Sequence, residues 1–301
     1  MPRILIAGCG YVGQATADLF HAAGWAVEGW THSAASAVKL SAKPYSVRAV
    51  DITDQARICE HAGVFDAIIH CASSGGGDAD SYRQIYLNGA HNLLDRFGGS
   101  RMLFTSSTSV YAQVDGSWVT EESETKPARE TGRILLETEK LVLANDGIVA
   151  RLAGIYGPGR SALLSKFLAG QATIDPENDR FLNQVHRDDI AAALFLLLDR
   201  PSPAREIYNV VDDQPIVQSE CYHWLAQRMN RAIPPLGRSA STLKRGASNK
   251  RVSNAKLRRL GWVPRYSTFA EAMEGSILPS VADNGQSPEP LRRLSPKAFA
   301  S

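Results

Sequence analysis

Cysteine is scarce and scattered: Cys9, Cys59, Cys71 and Cys221 lie far apart, and none forms a C-x-x-C spacing. That argues against a disulfide framework or a zinc site and reads as reduced, mostly buried thiols of a cytoplasmic protein. Charge of one sign is missing too. Lys and Arg total 33 against 31 Asp and Glu, a formal net charge of +2, with no dense basic run to mark a nucleic-acid partner. Long apolar runs are also lacking. Ile190–Leu198 falls far short of the ~20 residues a membrane span needs, and the N-terminal run is too short and glycine-broken for a signal peptide. No internal repeat is visible. What remains is 301 residues, 44% hydrophobic and 21% charged, an ordinary globular composition for one large or two modest domains.

Against that plain background one stretch stands out. Arg3-Ile4-Leu5-Ile6-Ala7 reads as a buried parallel strand, and Gly8-Cys9-Gly10-Tyr11-Val12-Gly13 follows it directly as G-x-G-x-x-G. An alanine-rich helix pattern then runs from Gln14 to Ala23. In this context Gly8 permits the tight turn, Gly10 lets a pyrophosphate approach the backbone, and Gly13 lets the helix pack close to the strand. The phosphates meet free N–H groups at the positive helix end. The stretch predicts a dinucleotide-binding domain.

The rest of the chain alternates strand and helix. Strands are predicted at 25–30, 46–52, 66–72, 101–107 and 148–152, with helices at 53–62, 81–97 and 130–144. This spacing predicts a doubly wound parallel sheet with helices on both faces over residues 1–153. The second strand ends in Thr31-His32-Ser33, without the carboxylate that accepts hydrogen bonds from the NAD ribose, so NADP is favoured over NAD. The fourth ends in Cys71-Ala72-Ser73, facing the cofactor, and the glycine-rich Ser74–Asp78 loop follows. From 154 to 278 the texture changes to turns, short helices and brief strands such as 206–211. This predicts a smaller lobe over the crevice, with strands able to return to the main sheet. The segment 279–301, rich in Pro, Ser and charge, reads as a flexible tail.

These landmarks together resemble the extended short-chain dehydrogenase/reductase superfamily, in its epimerase/dehydratase group acting on nucleotide sugars. Asp51-Ile52 resembles the group's adenine-contacting pair. His70-Cys71-Ala72 stands at its strand-four cofactor motif, Asn88 resembles its helix asparagine, and Thr105–Tyr111 its serine strand. Tyr156-Gly157-Pro158-Gly159, Val185–Asp189 and Tyr208-Asn209-Val210 recur in order. The resemblance implies a bound NAD or NADP, a small-molecule substrate such as a nucleotide sugar, and a possible homodimer.

One departure is central. The superfamily's chemistry uses a tyrosine and a lysine four residues later, on one helix face, where the lysine charge lowers the phenol pKa. No tyrosine here has a lysine at that spacing. Aligned on Glu139, the tyrosine position holds Thr131 and the lysine position Leu135. With its G-x-G spacing, the chain is similar to an atypical subgroup that keeps cofactor binding without the active-site tetrad.

Several residues carry two readings. Ser107 either bonds a substrate oxygen or satisfies backbone groups at a strand end. Tyr111 is the replacement phenol or a packed ring with its hydroxyl bonded internally. Thr131 can bond a ligand but cannot ionise usefully, and Arg133 is a phosphate clamp or a surface charge. Tyr156 and His186 are expected at the substrate side; no metal is expected, and Asp188 or Asp189 is expected to cap the following helix. Lys250 and Arg251 either meet a nucleotide diphosphate or form a solvated basic face. Two functions remain open at this point: an epimerase or oxidoreductase using non-standard catalysis, or a catalytically inert NAD(P)-binding sensor or scaffold.

Overall fold

A computed structural model describes residues 1–199, 203–238 and 248–283. Seven parallel strands form one sheet: β1 (Arg3–Ala7), β2 (Ala26–Thr31), β3 (Ser46–Ala49), β4 (Ala67–His70), β5 (Arg101–Ser107), β6 (Ile148–Leu152) and β7 (Glu206–Val210). Their order across the sheet is β7-β6-β5-β4-β1-β2-β3. The chain winds outward from β1 to β3, then returns to build β4 to β7 on the other side. β1 and β4 therefore flank the switch point, and a crevice opens beyond their carboxyl ends, where such sheets bind ligands.

Burial explains the strand composition. Ile4, Leu5, Ile6 and Ala7 are fully buried, as are Ile148, Val149 and Ala150, because helices cover both faces. The first helix, Tyr11–Ala22, packs against the Arg187–Asp199 helix, with Phe20 edge-on to both Trp25 and Phe195. A second apolar cluster gathers Tyr156, Leu164, Phe167, Tyr222, Leu225, Phe269 and Met273.

Several elements differ from the sequence expectation. The helix expected over 53–62 shortens to Gln55–Cys59, because the Asp54 side chain accepts from the Arg57 N–H and starts it there. The helix expected from Ser81 starts at Ala79, capped by Asp78, and passes through a π-turn at Arg83–Asn88 before continuing to Phe97. The brief strand near Glu206 pairs in parallel with β6 and so extends the main sheet. Of the expected tail, residues 279–283 belong to the Leu278–Asp283 helix, and 284–301 lie outside the described residues.

Candidate functional site

The three motif glycines answer to three different demands. Gly8 has φ +106°, and a Cβ there would meet the Ala72 nitrogen at 2.2 Å. A Cβ on Gly13 would meet the Gly8 carbonyl oxygen at 2.2 Å, so the helix could not sit so close to the loop. At Gly10 a Cβ would meet no atom of the described residues within 4 Å. Its smallness is not needed by the fold, and the space above it is open to something from outside the chain. Gly10 precedes the first helix with no side-chain cap, and the first turn holds no acidic residue. The leading N–H groups thus keep their positive end directed to the crevice.

Next to this loop lies a cavity of about 340 Å³, lined by Gly8, Trp30, Thr31, His32, Val50, Asp51, Ile52, Ala72, Ser73, Ser74 and Ile85. The Thr31 hydroxyl donates to the Ser33 and Arg48 carbonyls, and Ser33 accepts from the Ser36 N–H. His32 is exposed and lies 3.3 Å from Asp51. Burial raises the Asp51 pKa, but bonds from the Thr53 N–H and hydroxyl and the charge of His32 bring it below the usual carboxylate value. Gly89 lies so close to Ile52 that a Cβ would meet its Cδ1 at 2.7 Å. The Cys71 thiol donates to the Gly8 carbonyl, and burial pushes its pKa up. Asn88 sits in the π-turn and donates to Gln84.

His70, fully buried behind Cys71, places its Nε2 3.1 Å from the Ile85 carbonyl and 3.3 Å from that of Tyr86. Two carbonyl neighbours require the proton on Nε2. Its Nδ1 has no hydrogen-bond partner among the described residues, and burial lowers the ring's pKa to about 4.

Beyond β5 the geometry separates the remaining sequence candidates. The Ser107 side chain accepts from the Ser109 N–H and caps the short Thr108–Val110 turn. Tyr111 is 1% exposed, which takes its phenol out of reach of a ligand. Its hydroxyl accepts from Arg151 at 2.9 Å and donates to Asn209 at 2.9 Å. Burial pushes the phenol pKa above its ordinary value although Arg151 and Asn209 oppose the rise. Arg151 also forks onto Glu139, which accepts from Ser106 as well. Thr131 is half-buried on the Glu130–Ala144 helix, and Arg133 pairs with Glu130.

The expected substrate-side residues are turned inward. Tyr156 is 2% exposed, and its hydroxyl has no hydrogen-bond partner among the described residues. His186 is fully buried; its Nδ1 accepts from the Asp188 N–H, which directs its Nε2 proton to Ser276. Asp189 does not cap its helix. It lies in the first turn and accepts from the backbone N–H groups of Arg265 and Tyr266, with burial raising its pKa to about 6. Lys250 is buried and donates to the Tyr111 carbonyl, and burial lowers its pKa to about 8. Arg251 donates to the Gly116 carbonyl and lies over the rings of Trp118 and Phe181. Of the two readings given for these residues, a diphosphate contact or a solvated basic face, the second does not describe Lys250, which is buried. Among the described residues, no group of three or more His, Cys, Asp or Glu is arranged to hold a metal, and no helix is long and apolar enough to cross a membrane.

Comparison with known proteins fits this geometry. The model of the NAD dependent epimerase/dehydratase family matches residues 4–210, which run from β1 through β7. The chain belongs to that family. Protein YeeZ of Escherichia coli (strain K12) is 29% identical over 257 residues, covering 81% of this chain and 90% of that protein. A Methylobacillus flagellatus protein, named provisionally as an NAD-dependent epimerase/dehydratase, superposes with a TM-score of 0.77 at 26% identity, covering 93% of this chain and 99% of that one. DesIV, the dTDP-glucose 4,6-dehydratase of Streptomyces venezuelae solved with NAD and TYD bound, has a TM-score of 0.79 at 20% identity, covering 94% and 98%.

Membership of the epimerase/dehydratase family implies a nicotinamide dinucleotide as cofactor. Gly8 and the cavity beside it lie at the carboxyl ends of β1 and β4, the switch point of the sheet. The structure thus gathers Gly8, Thr31, His32, Asp51, Ile52, Ala72 and Ser73 in one place and leaves Tyr111, Tyr156, His186 and Lys250 in the interior. Sequence reading missed the Glu139–Arg151–Tyr111 network. The one available signal was an arginine within the apolar strand Ile148–Leu152, which demands a buried partner.

Proposed function

We propose that the protein binds NADP at the carboxyl ends of β1 and β4 and does not run the tyrosine–lysine proton transfer typical of its superfamily. One observation carries the second half of this reading. Leu135, aligned with the lysine position, is 4% exposed and packs within the main hydrophobic core. That position has become part of the packing, and a charged ammonium there would be buried without a partner. Tyr111 cannot stand in, because its hydroxyl is committed to Arg151 and Asn209.

The choice of NADP rests on the end of β2. Thr31, His32 and Ser33 offer hydroxyl and imidazole groups there and no carboxylate among the three, and exposed His32, although 3.3 Å from Asp51, presents its imidazole to a 2′-phosphate. The scattered thiols fit a reducing compartment, the cytoplasm.

The test is to mix the purified protein with NADPH and a panel of nucleotide sugars and ketones, following cofactor binding and the absorbance of the reduced cofactor together. Binding without consumption is expected. Sustained turnover with any member of the panel contradicts the reading and selects the second one: an epimerase or oxidoreductase on a nucleotide sugar, the substrate class named for DesIV. What favours that alternative is Ser107, half-buried at the end of β5 with a hydroxyl that retains donor capacity.

A further inference from the structure

Two arginines from distant parts of the chain converge on the glycine loop. The Arg160 guanidinium carbon lies 5.3 Å from the centroid of the Tyr11 ring, and that of Arg187 lies 5.0 Å from it. Tyr11 is the first residue of the first helix, the end whose leading N–H groups have no intrahelical partner. One small ribbon delivers both arginines. Strand Gly154–Tyr156 pairs in parallel with strand Gln184–His186, with Tyr156 opposite His186. Arg187 follows His186 directly, and Arg160 closes the turn that follows Tyr156.

That turn is docked, not draped. Gly157 and Arg160 exchange backbone hydrogen bonds of 2.9 Å in both directions. The Tyr11 hydroxyl donates to the Pro158 carbonyl at 3.0 Å, and a Cβ on Gly157 would meet that hydroxyl oxygen at 2.6 Å. The charges around the ring do not balance. Asp188 accepts from Arg187 Nε at 2.9 Å and is the carboxylate facing the pair. Arg160 forms no salt bridge among the described residues. A guanidinium over a ring directs its N–H groups outward from its edge, and those not given to Asp188 match phosphate oxygens.

We propose that Arg160 and Arg187 form a cationic clamp, seated on Tyr11, that holds the diphosphate of the dinucleotide from the side opposite the glycine loop. The clamp rests on the reading that the glycine loop holds a dinucleotide. It extends that reading by linking cofactor binding to the Tyr156–Arg160 turn, outside the glycine motif.

The test compares ADP-ribose, which carries the diphosphate, with adenosine, which does not. Both are titrated calorimetrically against wild type, Arg160→Gln, Arg187→Gln, the double variant and Arg160→Lys. Each glutamine variant should weaken ADP-ribose binding by about tenfold, the size of a lost charge-assisted hydrogen bond. The double variant should lose more and the lysine variant less, while adenosine affinity stays within about twofold of wild type. Unchanged ADP-ribose affinity in all variants overturns the clamp, and so does an equal loss for both ligands, which would report damage to the fold. Arg160 is exposed, so if Arg187→Gln fails to fold, Arg160→Gln alone decides. Failure of wild type to bind ADP-ribose or NADP at all would instead sink the dinucleotide reading itself.

Discussion

The Tyr111 hydroxyl accepts a hydrogen bond from Arg151 at 2.9 Å, across 40 residues of chain and inside the core. Asn209 accepts a hydrogen bond from the phenol and Glu139 neutralises the guanidinium, so the phenol belongs to a closed internal network. A group held this way supports the sheet and does not serve a crevice.

Tyr111→Phe should therefore act on stability. It leaves an Arg151 N–H and the Asn209 carbonyl oxygen short of a partner in the interior, a cost of about 1–3 kcal/mol. Urea unfolding should show that loss while NADP affinity stays within about twofold. A loss of ligand binding at unchanged stability would return Tyr111 to the crevice.

Glu139 and Arg151 should show the asymmetry of a buried ion pair. Glu139→Gln alone strands a guanidinium that is about 4% exposed and should cost about 3–5 kcal/mol. Replacing both, as Glu139→Leu with Arg151→Met, should cost clearly less than the sum of the single changes. Additive losses in denaturant melts would show that the two side chains act separately.

Parts of this arrangement were legible in the sequence, and the reason is local. The Glu130–Ala144 helix and the Ile148–Leu152 strand fall at the expected residues, because apolar periodicity and a strand-length apolar run are short-range signals. The glycine loop was legible for the same reason: strand, turn and helix lie within a few residues. The partners of Tyr111 were not. Asn209 is 98 positions away and the Lys250 amine on its carbonyl 139, and no local pattern encodes such meetings. The convergence of Arg160 and Arg187 on Tyr11 depends on the pairing of two three-residue strands, which carry too little sequence to be assigned a partner. The π-turn at Arg83–Asn88 had no signal of its own in the helix pattern.

His70 should make the fold sensitive to acid. Its pKa lies near 4 in the folded protein against 6.5 for a free histidine, because burial disfavours the charged ring. Between those values the unfolded chain binds more protons, so stability rises with pH across that window and is lost as pH falls through it. The loss between pH 7 and pH 4 should be about 3 kcal/mol from this residue. Buried His186, also lowered to about 4, adds to the same window. Urea melts at both pH values should show a smaller pH dependence for His70→Phe than for wild type. An identical dependence would mean that His70 is not held neutral by burial.

His32→Asp should shift the cofactor preference. A carboxylate at the end of β2 accepts the ribose hydroxyls of NAD and repels a 2′-phosphate. Affinities for NADP and NAD, measured side by side, should move toward NAD by about tenfold or more. A wild type that already prefers NAD strongly would contradict the assignment of His32.

The most direct measurement is NADP binding to Gly10→Val beside Gly13→Val and wild type, with the melting temperature of each protein recorded. A Cβ at Gly10 meets no atom of the described residues within 4 Å, whereas one at Gly13 meets the Gly8 carbonyl oxygen at 2.2 Å. Gly10→Val should therefore melt close to wild type and lose NADP, while Gly13→Val should melt lower because the protein itself is crowded. Undiminished NADP binding by a well-folded Gly10→Val protein would contradict the placement of the dinucleotide on the glycine loop.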